Sequence, residues 1–206
     1  DLYIKMNARG KLLTPFENVK ASFQKKIDDE NWEDSVELKE TFGVKIDNDW
    51  TDFFWEDFRK NDTIDDAVIR FIAAIAMIIQ SVERTKSSDD RIQLITQLQE
   101  EPSGVRPIHF TPSSFAYLVS YFNTYHEHVI LTDYMKNRLP FPMWRHNPRN
   151  SILSMIVFDD NTFSTVQKNS ATYTQKVLFF AQAEYFRRNT QFDEECYHDW
   201  MRVIRN

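Results

Sequence analysis

Glycine is nearly absent from this chain, with three residues in 206. Serial β-hairpins use glycine in their turns, where a left-handed backbone suits few other residues, so an architecture built of hairpins is disfavoured. Cysteine occurs once, as Cys196. No internal disulfide can form and no CxxC is present to hold a metal, which makes the cytoplasm the natural compartment. Long apolar runs are also missing. The longest, "AVIRFIAAIAMII" at 67–79, contains Arg70 and is shorter than the roughly 20 residues a membrane-spanning helix needs. Nothing resembles a signal peptide, so a soluble cytoplasmic protein with no membrane partner is expected. Positive charge is in deficit: the formal net charge is −6, which argues against a whole surface made to grip a polyanion. No G-x-S-x-G, Walker loop or dinucleotide fingerprint occurs.

What the chain does contain is apolar and aromatic side chain. Hydrophobic residues make up 42% of it, and 17 are Phe, enough to fill one substantial core. A mainly helical, aromatic-rich interior follows. Charge is unevenly spread. Residues 28–62 hold 13 acids against 4 basic residues, whereas "KNRLPFPMWRHNPRN" at 136–150 holds Lys136, Arg138, Arg145 and Arg149 and no acid. With Phe141 and Trp144 among them, these side chains suit stacking on bases and pairing with phosphates. The same aromatics would serve equally to pin a surface loop to the core.

Residues 2–7 alternate and are rich in strand formers, which predicts a short strand. After a turn at "ARGK", Thr14 can cap a helix, Pro15 suits its first position and Glu17 completes a capping box. Phe16, Val19 and Phe23 then recur at helical spacing. Further on, Trp50, Phe53, Phe54 and Phe58 form an apolar stripe over about 48–60. Thr63, Asp65 and Asp66 start the strongest helix, with Ile64, Val68, Phe71, Ile72, Ile75, Ile79 and Val82 on its buried face. A helix from about 86–90 ends before Pro102, another runs from Thr111-Pro112 to about Arg138, and three more are expected near 150–158, at 172–188 and at the end of the chain. The fold class is therefore mainly α, a bundle-like domain of about eight helices behind one leading strand-turn-helix. A lone strand is unstable without a sheet, so partner strands are expected upstream of Asp1 or from a second chain, and an exposed strand edge invites a homo-oligomer.

The opening turn suggests a chemistry. A strand entering a helix through a glycine turn aims free amides and the positive end of the helix dipole at whatever lies over the turn. Arg9 offers a planar fork for phosphate oxygens, Gly10 allows close backbone approach, and Asn7 can donate and accept. The residues alone leave open a purely structural turn. The histidines point away from a metal: His126 and His128 stand two apart and face different sides of a helix, whereas a helical zinc pair needs the i, i+4 spacing. Cys196 and His198 lack a third positioned group, and Cys196 reads as a small buried apolar residue. Asp65/Asp66 and Asp159/Asp160 read as helix-start and loop acids.

"YIKMNARGKLLTPFENVKASF" resembles the aromatic-x-x-x-N-x-R-G-x-x-L-T segment of GmrSD-type proteins, modification-dependent restriction enzymes of bacteria with a ParB-like N-terminal domain. "KIDNDWTDFFWEDF" (45–58) and "FDEECYHDWMRVIRN" (192–206) resemble later segments of that family. The resemblance implies that residues 1–28 are the tail end of a ParB-like α/β nucleotide-binding domain and 29–206 a helical domain. It implies that Tyr3, Asn7, Arg9 and Gly10 border a nucleotide pocket. Family members carry an upstream D-G-Q-Q-R motif linked to nucleotide binding and hydrolysis, and many end in an HNH nuclease domain. Neither motif occurs in these 206 residues. The implied role is the helical part of a phage-defence protein that couples NTP, with Mg, to DNA recognition or cleavage, itself without catalytic groups or a cofactor of its own. Its partners would be the upstream α/β segment, a downstream nuclease domain or subunit, and DNA, which Lys136, Arg138, Trp144, Arg145 and Arg149 could touch. The competing reading is a helical protein-interaction or DNA-contacting module without nucleotide chemistry.

Overall fold

A computed structural model describes residues 12–35, 41–84, 86–127, 152–157, 171–189 and 191–205. Every regular element among them is helical: α1 (Pro15–Glu30), α2 (Phe42–Asp47), α3 (Asp49–Phe58), α4 (Asp65–Val82), α5 (Ser88–Glu100), α6 (Pro112–Glu127), α7 (Ile152–Val157), α8 (Tyr173–Arg188) and α9 (Glu194–Arg205), with short 3-10 turns at Trp32–Ser35, Pro102–Gly104 and Pro107–His109. The protein is thus mainly α. The strand expected at 2–7 lies outside the described residues.

Hydroxyl side chains start five of these helices. Thr14, Thr41, Ser87, Thr111 and Thr172 each accept from the amide three residues on, at 3.2, 3.4, 3.1, 3.3 and 3.3 Å. Each satisfies a donor that the first helical turn would otherwise leave open. Thr14 with Glu17, and Thr172 with Gln175, close full capping boxes. Asparagine and aspartate take the positions that glycine often fills. Asn31 ends α1 in the left-handed conformation at φ 52°, and Asn61 and Asp62 have φ of 52° and 57°. That pair bends the chain so that Lys60 and Thr63 exchange two backbone hydrogen bonds. A type I′ turn requires positive φ at both central residues, and Asn and Asp tolerate it best after glycine.

The described residues form two compact units divided between Tyr117 and Leu118, inside α6. In the first, α4 packs against α1, α3, α5 and the Pro102–Gly104 turn. It is buried continuously from Ala67 to Gln80, so the helix with the longest apolar run is the central one of its unit. Aromatic rings link the elements around it: Phe23 meets Phe110 edge-on at 5.3 Å, Phe42 lies 5.8 Å from Trp50 and 5.4 Å from Phe115, and Phe54 lies 5.4 Å from Phe71. The stripe Trp50, Phe53, Phe54 and Phe58 is buried as expected. "FGVKID", which leads into α3, is a helix of its own, capped by Thr41. One detail differs from expectation: Val82, expected on the buried face, is 65% exposed, because it is the last residue of α4 and lies beyond the buried Ile79 and Gln80.

In the second unit α8 packs against both α7 and α9 and is buried on most sides. Tyr125 stacks on Phe179 at 5.1 Å, and Phe186 stacks on Phe192 at 5.6 Å. On α9, Tyr197 and Met201 are fully buried, and Trp200 donates its indole N–H to the Ala181 carbonyl at 2.8 Å.

Phe71 has no exposed surface and sits where α3 rings meet α4. Phe71→Ala is expected to lower stability by about 3–5 kcal/mol, as for other buried phenylalanines. Urea denaturation measures it, and a loss below about 1 kcal/mol, well under that range, would mean that α4 is not the centre of the first unit.

Candidate functional site

The residues singled out for function fall in two stretches. Tyr3, Asn7, Arg9 and Gly10 lie within 1–11, and Lys136, Arg138, Trp144, Arg145 and Arg149 within 128–151. Both stretches lie outside the described residues. What is described is the structure that flanks them, beginning with the first turn of α1.

That turn has no amide to spare. The Thr14 amide donates to Glu17 Oε2 at 2.6 Å, Pro15 has none, the Phe16 amide donates to Asp65 Oδ2 at a long 3.4 Å, and the Glu17 amide donates to Thr14 Oγ1 at 3.2 Å. The amides of this first helical turn are therefore bonded rather than free, while the turn at "ARGK" lies outside the described residues. Glu17 and Asp65 already place two carboxylates at the positive end of the helix dipole, where they are stabilised and where they repel a phosphate. An anion over the preceding turn would have to be held by side chains such as Arg9 and Asn7, and by the backbone near Gly10.

The segments 45–58 and 192–206 have a clear packing role. The first supplies α3 and its buried rings. The second supplies α9, whose Tyr197, Trp200 and Met201 sit three and four residues apart and so share one face. Asp193 accepts from the Cys196 amide at 2.8 Å, and the Tyr185 hydroxyl donates to the Asp193 carbonyl at 2.8 Å. Cys196 is exposed, contrary to the reading of a buried apolar residue. It occupies the outer side of the first turn of α9, while Tyr197 beside it takes the inner side. Hydrogen bonding to Asp193, and that residue's charge, push the thiol pKa up, the opposite of what a nucleophilic cysteine needs. Among the described residues, no three His, Cys, Asp or Glu side chains gather as a metal site.

Polar residues buried on α8 have no counterpart among the sequence expectations. Gln182, 1% exposed, accepts from the Tyr125 hydroxyl at 3.1 Å and donates to the Tyr197 hydroxyl at 2.9 Å. Glu184, 3% exposed, is held by Arg187 at 2.7 Å and Arg188 at 3.0 Å. Lys176 is 5% exposed, and its ammonium donates to the Ala171 carbonyl and lies 5.5 Å from the Tyr173 ring centre. The signal that could have found it is spacing, since Lys176, Phe179 and Ala183 fall at i, i+3 and i+7.

No helix among the described residues is long and apolar enough to cross a membrane. Comparison of the chain with protein-family models, curated proteins and solved structures found no match.

Burial pushes the Lys176 pKa down from 10.5 to about 8. The unfolded chain therefore binds more protons than the folded one between these values, and stability rises with pH across that window. Below it the folded protein carries a buried charge costing on the order of 3 kcal/mol. Lys176→Met should be stabilising at pH 7, and its advantage should shrink from about pH 8 to pH 10. Urea midpoints over that range test this; parallel profiles for the two proteins would show that the ammonium is not penalised.

Proposed function

We propose that this chain is the helical part of a bacterial modification-dependent restriction or phage-defence protein of the GmrSD type. In this reading the chain acts in the cytoplasm beside a ParB-like α/β segment, and NTP binding there is coupled to recognition or cleavage of DNA. The carrying observation is the pattern Tyr3-x-x-x-Asn7-x-Arg9-Gly10-x-x-Leu13-Thr14, which resembles that family's second motif and runs directly into a helix. The final threonine of the pattern has a physical reason to be there, as the cap of α1 with Glu17.

Arg9 is the group on which nucleotide binding rests. With the first-turn amides of α1 already bonded, a guanidinium is the strongest remaining donor for phosphate oxygens in this stretch. Asn7 would orient a hydroxyl or base edge, and Gly10 would let the backbone come close. The D-G-Q-Q-R and HNH motifs that would perform hydrolysis and cleavage are not in this sequence, so the chain supplies binding and coupling while catalysis belongs to the segments it works with. Contact with DNA is assigned to 136–150, the stretch with Lys136, Arg138, Trp144, Arg145 and Arg149 and no acid.

Two measurements bear on this reading. In the full-length native protein, Arg9→Ala should weaken NTP binding about 10- to 150-fold, as expected when one charge-assisted hydrogen bond is removed, and titration calorimetry reads the change. Unchanged affinity, or no NTP binding by the wild type, defeats the nucleotide reading. Arg145→Glu with Arg149→Glu should weaken DNA binding and flatten its dependence on log salt by about 0.9 for each phosphate no longer neutralised. An unchanged slope removes 136–150 from the DNA interface.

A further inference from the structure

Gln80, 3% exposed, lies near the C-terminal end of α4. Its amide is fixed from both sides: Nε2 donates to the His109 carbonyl at 3.0 Å, and Oε1 accepts from Lys86 Nζ at 3.1 Å. One buried side chain thus ties the Pro107–His109 turn to α4 and draws an ammonium in beside it. His109 Nδ1 accepts from the Arg106 amide at 3.1 Å, which leaves the proton of the neutral ring on Nε2, a donor. Arg106 Nη1 is taken by the Ser103 and Val105 carbonyls at 2.6 and 2.7 Å, and its Nε and Nη2 bond to no acceptor among the described residues.

This corner is rich in donors and poor in acceptors. Neither Lys86 nor Arg106 is ion-paired among the described residues. Glu101 accepts from the Ser103 hydroxyl, and a Glu83 oxygen accepts from the Arg84 amide. Capping does not account for Lys86 either. Arg91 Nη1 already serves the end of α4, reaching the Ser81 carbonyl at 3.4 Å and the Glu83 carbonyl at 2.8 Å. The positive potential registers on His109, whose pKa is held below its usual range by burial and then by the charges of Lys86 and Arg106.

We infer that Lys86, held on Gln80, together with Arg106 and His109 of the adjoining turn, forms a binding site for a phosphate group. The ammonium, the free edge of the guanidinium and the Nε2–H can each take a phosphate oxygen, and the anion supplies the negative charge that the cluster lacks. The site is separate in sequence from Arg9 and from 136–150, and it does not depend on either.

The His109 ring reports binding at the site itself, so phosphate held elsewhere on the chain does not register. Nitrogen-detected histidine spectra of the full chain, with His109 assigned through His109→Gln, would be followed against pH at constant ionic strength. Inorganic phosphate should raise the His109 pKa, because a nearby anion favours the imidazolium. Lys86→Met and Arg106→Met should each weaken the phosphate response about tenfold or more, while Lys86→Arg retains it. The same shift with a short DNA duplex in phosphate-free buffer would support the site and identify a nucleic-acid backbone as its source; a shift with inorganic phosphate alone would support it with a free phosphate or a nucleotide as the source. No His109 response to either ligand, or a response unchanged in the Met variants, overturns the inference.

Discussion

A helix covered on nearly every side can carry a polar side chain only if a partner is built for it, and this constraint organises both units. Leaving a buried polar group unmatched costs roughly 1–3 kcal/mol, and more if it is charged. On α4 the requirement falls on Arg70, which reaches back one turn to Asp66 at 2.8 Å, and on Gln80, which bridges to His109 and Lys86. On α8 it falls on Gln182, Glu184 and Lys176. Each of these residues decides what must lie beside it. Gln182 requires the hydroxyls of Tyr125 and Tyr197 to converge on one amide, which fixes the rotation of α9 about its axis more narrowly than apolar contact would. Trp200, bonded to a carbonyl of α8, adds a second point.

Much of the helical plan is legible in the sequence because it is written in local chemistry. Thr-Pro at 14–15, Ser87 before two acids and Thr172 with Gln175 each mark a first turn by completing a hydrogen bond within three residues, and no knowledge of the rest of the fold is needed. The stripe of α3 and the burial of α4 follow from the 3.6-residue period. What a period cannot state is how much covers a helix. The pattern on α8 predicts a helix, but the burial of Lys176, Gln182 and Glu184 depends on α7 and α9 packing against it. Val82 and Cys196 fail for a related reason, since a residue near a helix end can continue the apolar face and still extend past its cover, and a cysteine beside a buried tyrosine can face outward.

The candidate site divides along the same line. The motif at 3–14 is readable as a pattern, and its last member is explained by the capping box. The state of the α1 amides was not readable, because the acceptor for Phe16 comes from Asp65, 49 residues away. A tertiary contact of that separation leaves no local mark. It changes the chemistry of the turn, since it puts a second carboxylate where the dipole alone would have favoured an anion.

The start of α1 and the end of α4 therefore behave in opposite ways. A helix N-terminus is the usual place to seek phosphate binding, but at α1 the donors are consumed and the potential is offset by Glu17 and Asp65. A helix C-terminus is ordinarily unfavourable for an anion, yet at α4 the carbonyls of Ser81 and Glu83 are claimed by Arg91, and Lys86, Arg106 and His109 keep donors that are paired with no carboxylate among the described residues. The sign of the local potential is then set by how side-chain donors and acceptors are matched rather than by the backbone dipole, which is partly offset at each end. In a chain with a net charge of −6, an anion is favoured where donors outnumber acceptors locally; the side chains at the end of α4 meet that condition, whereas the first-turn amides of α1 do not, which leaves any anion before α1 to side chains such as Arg9.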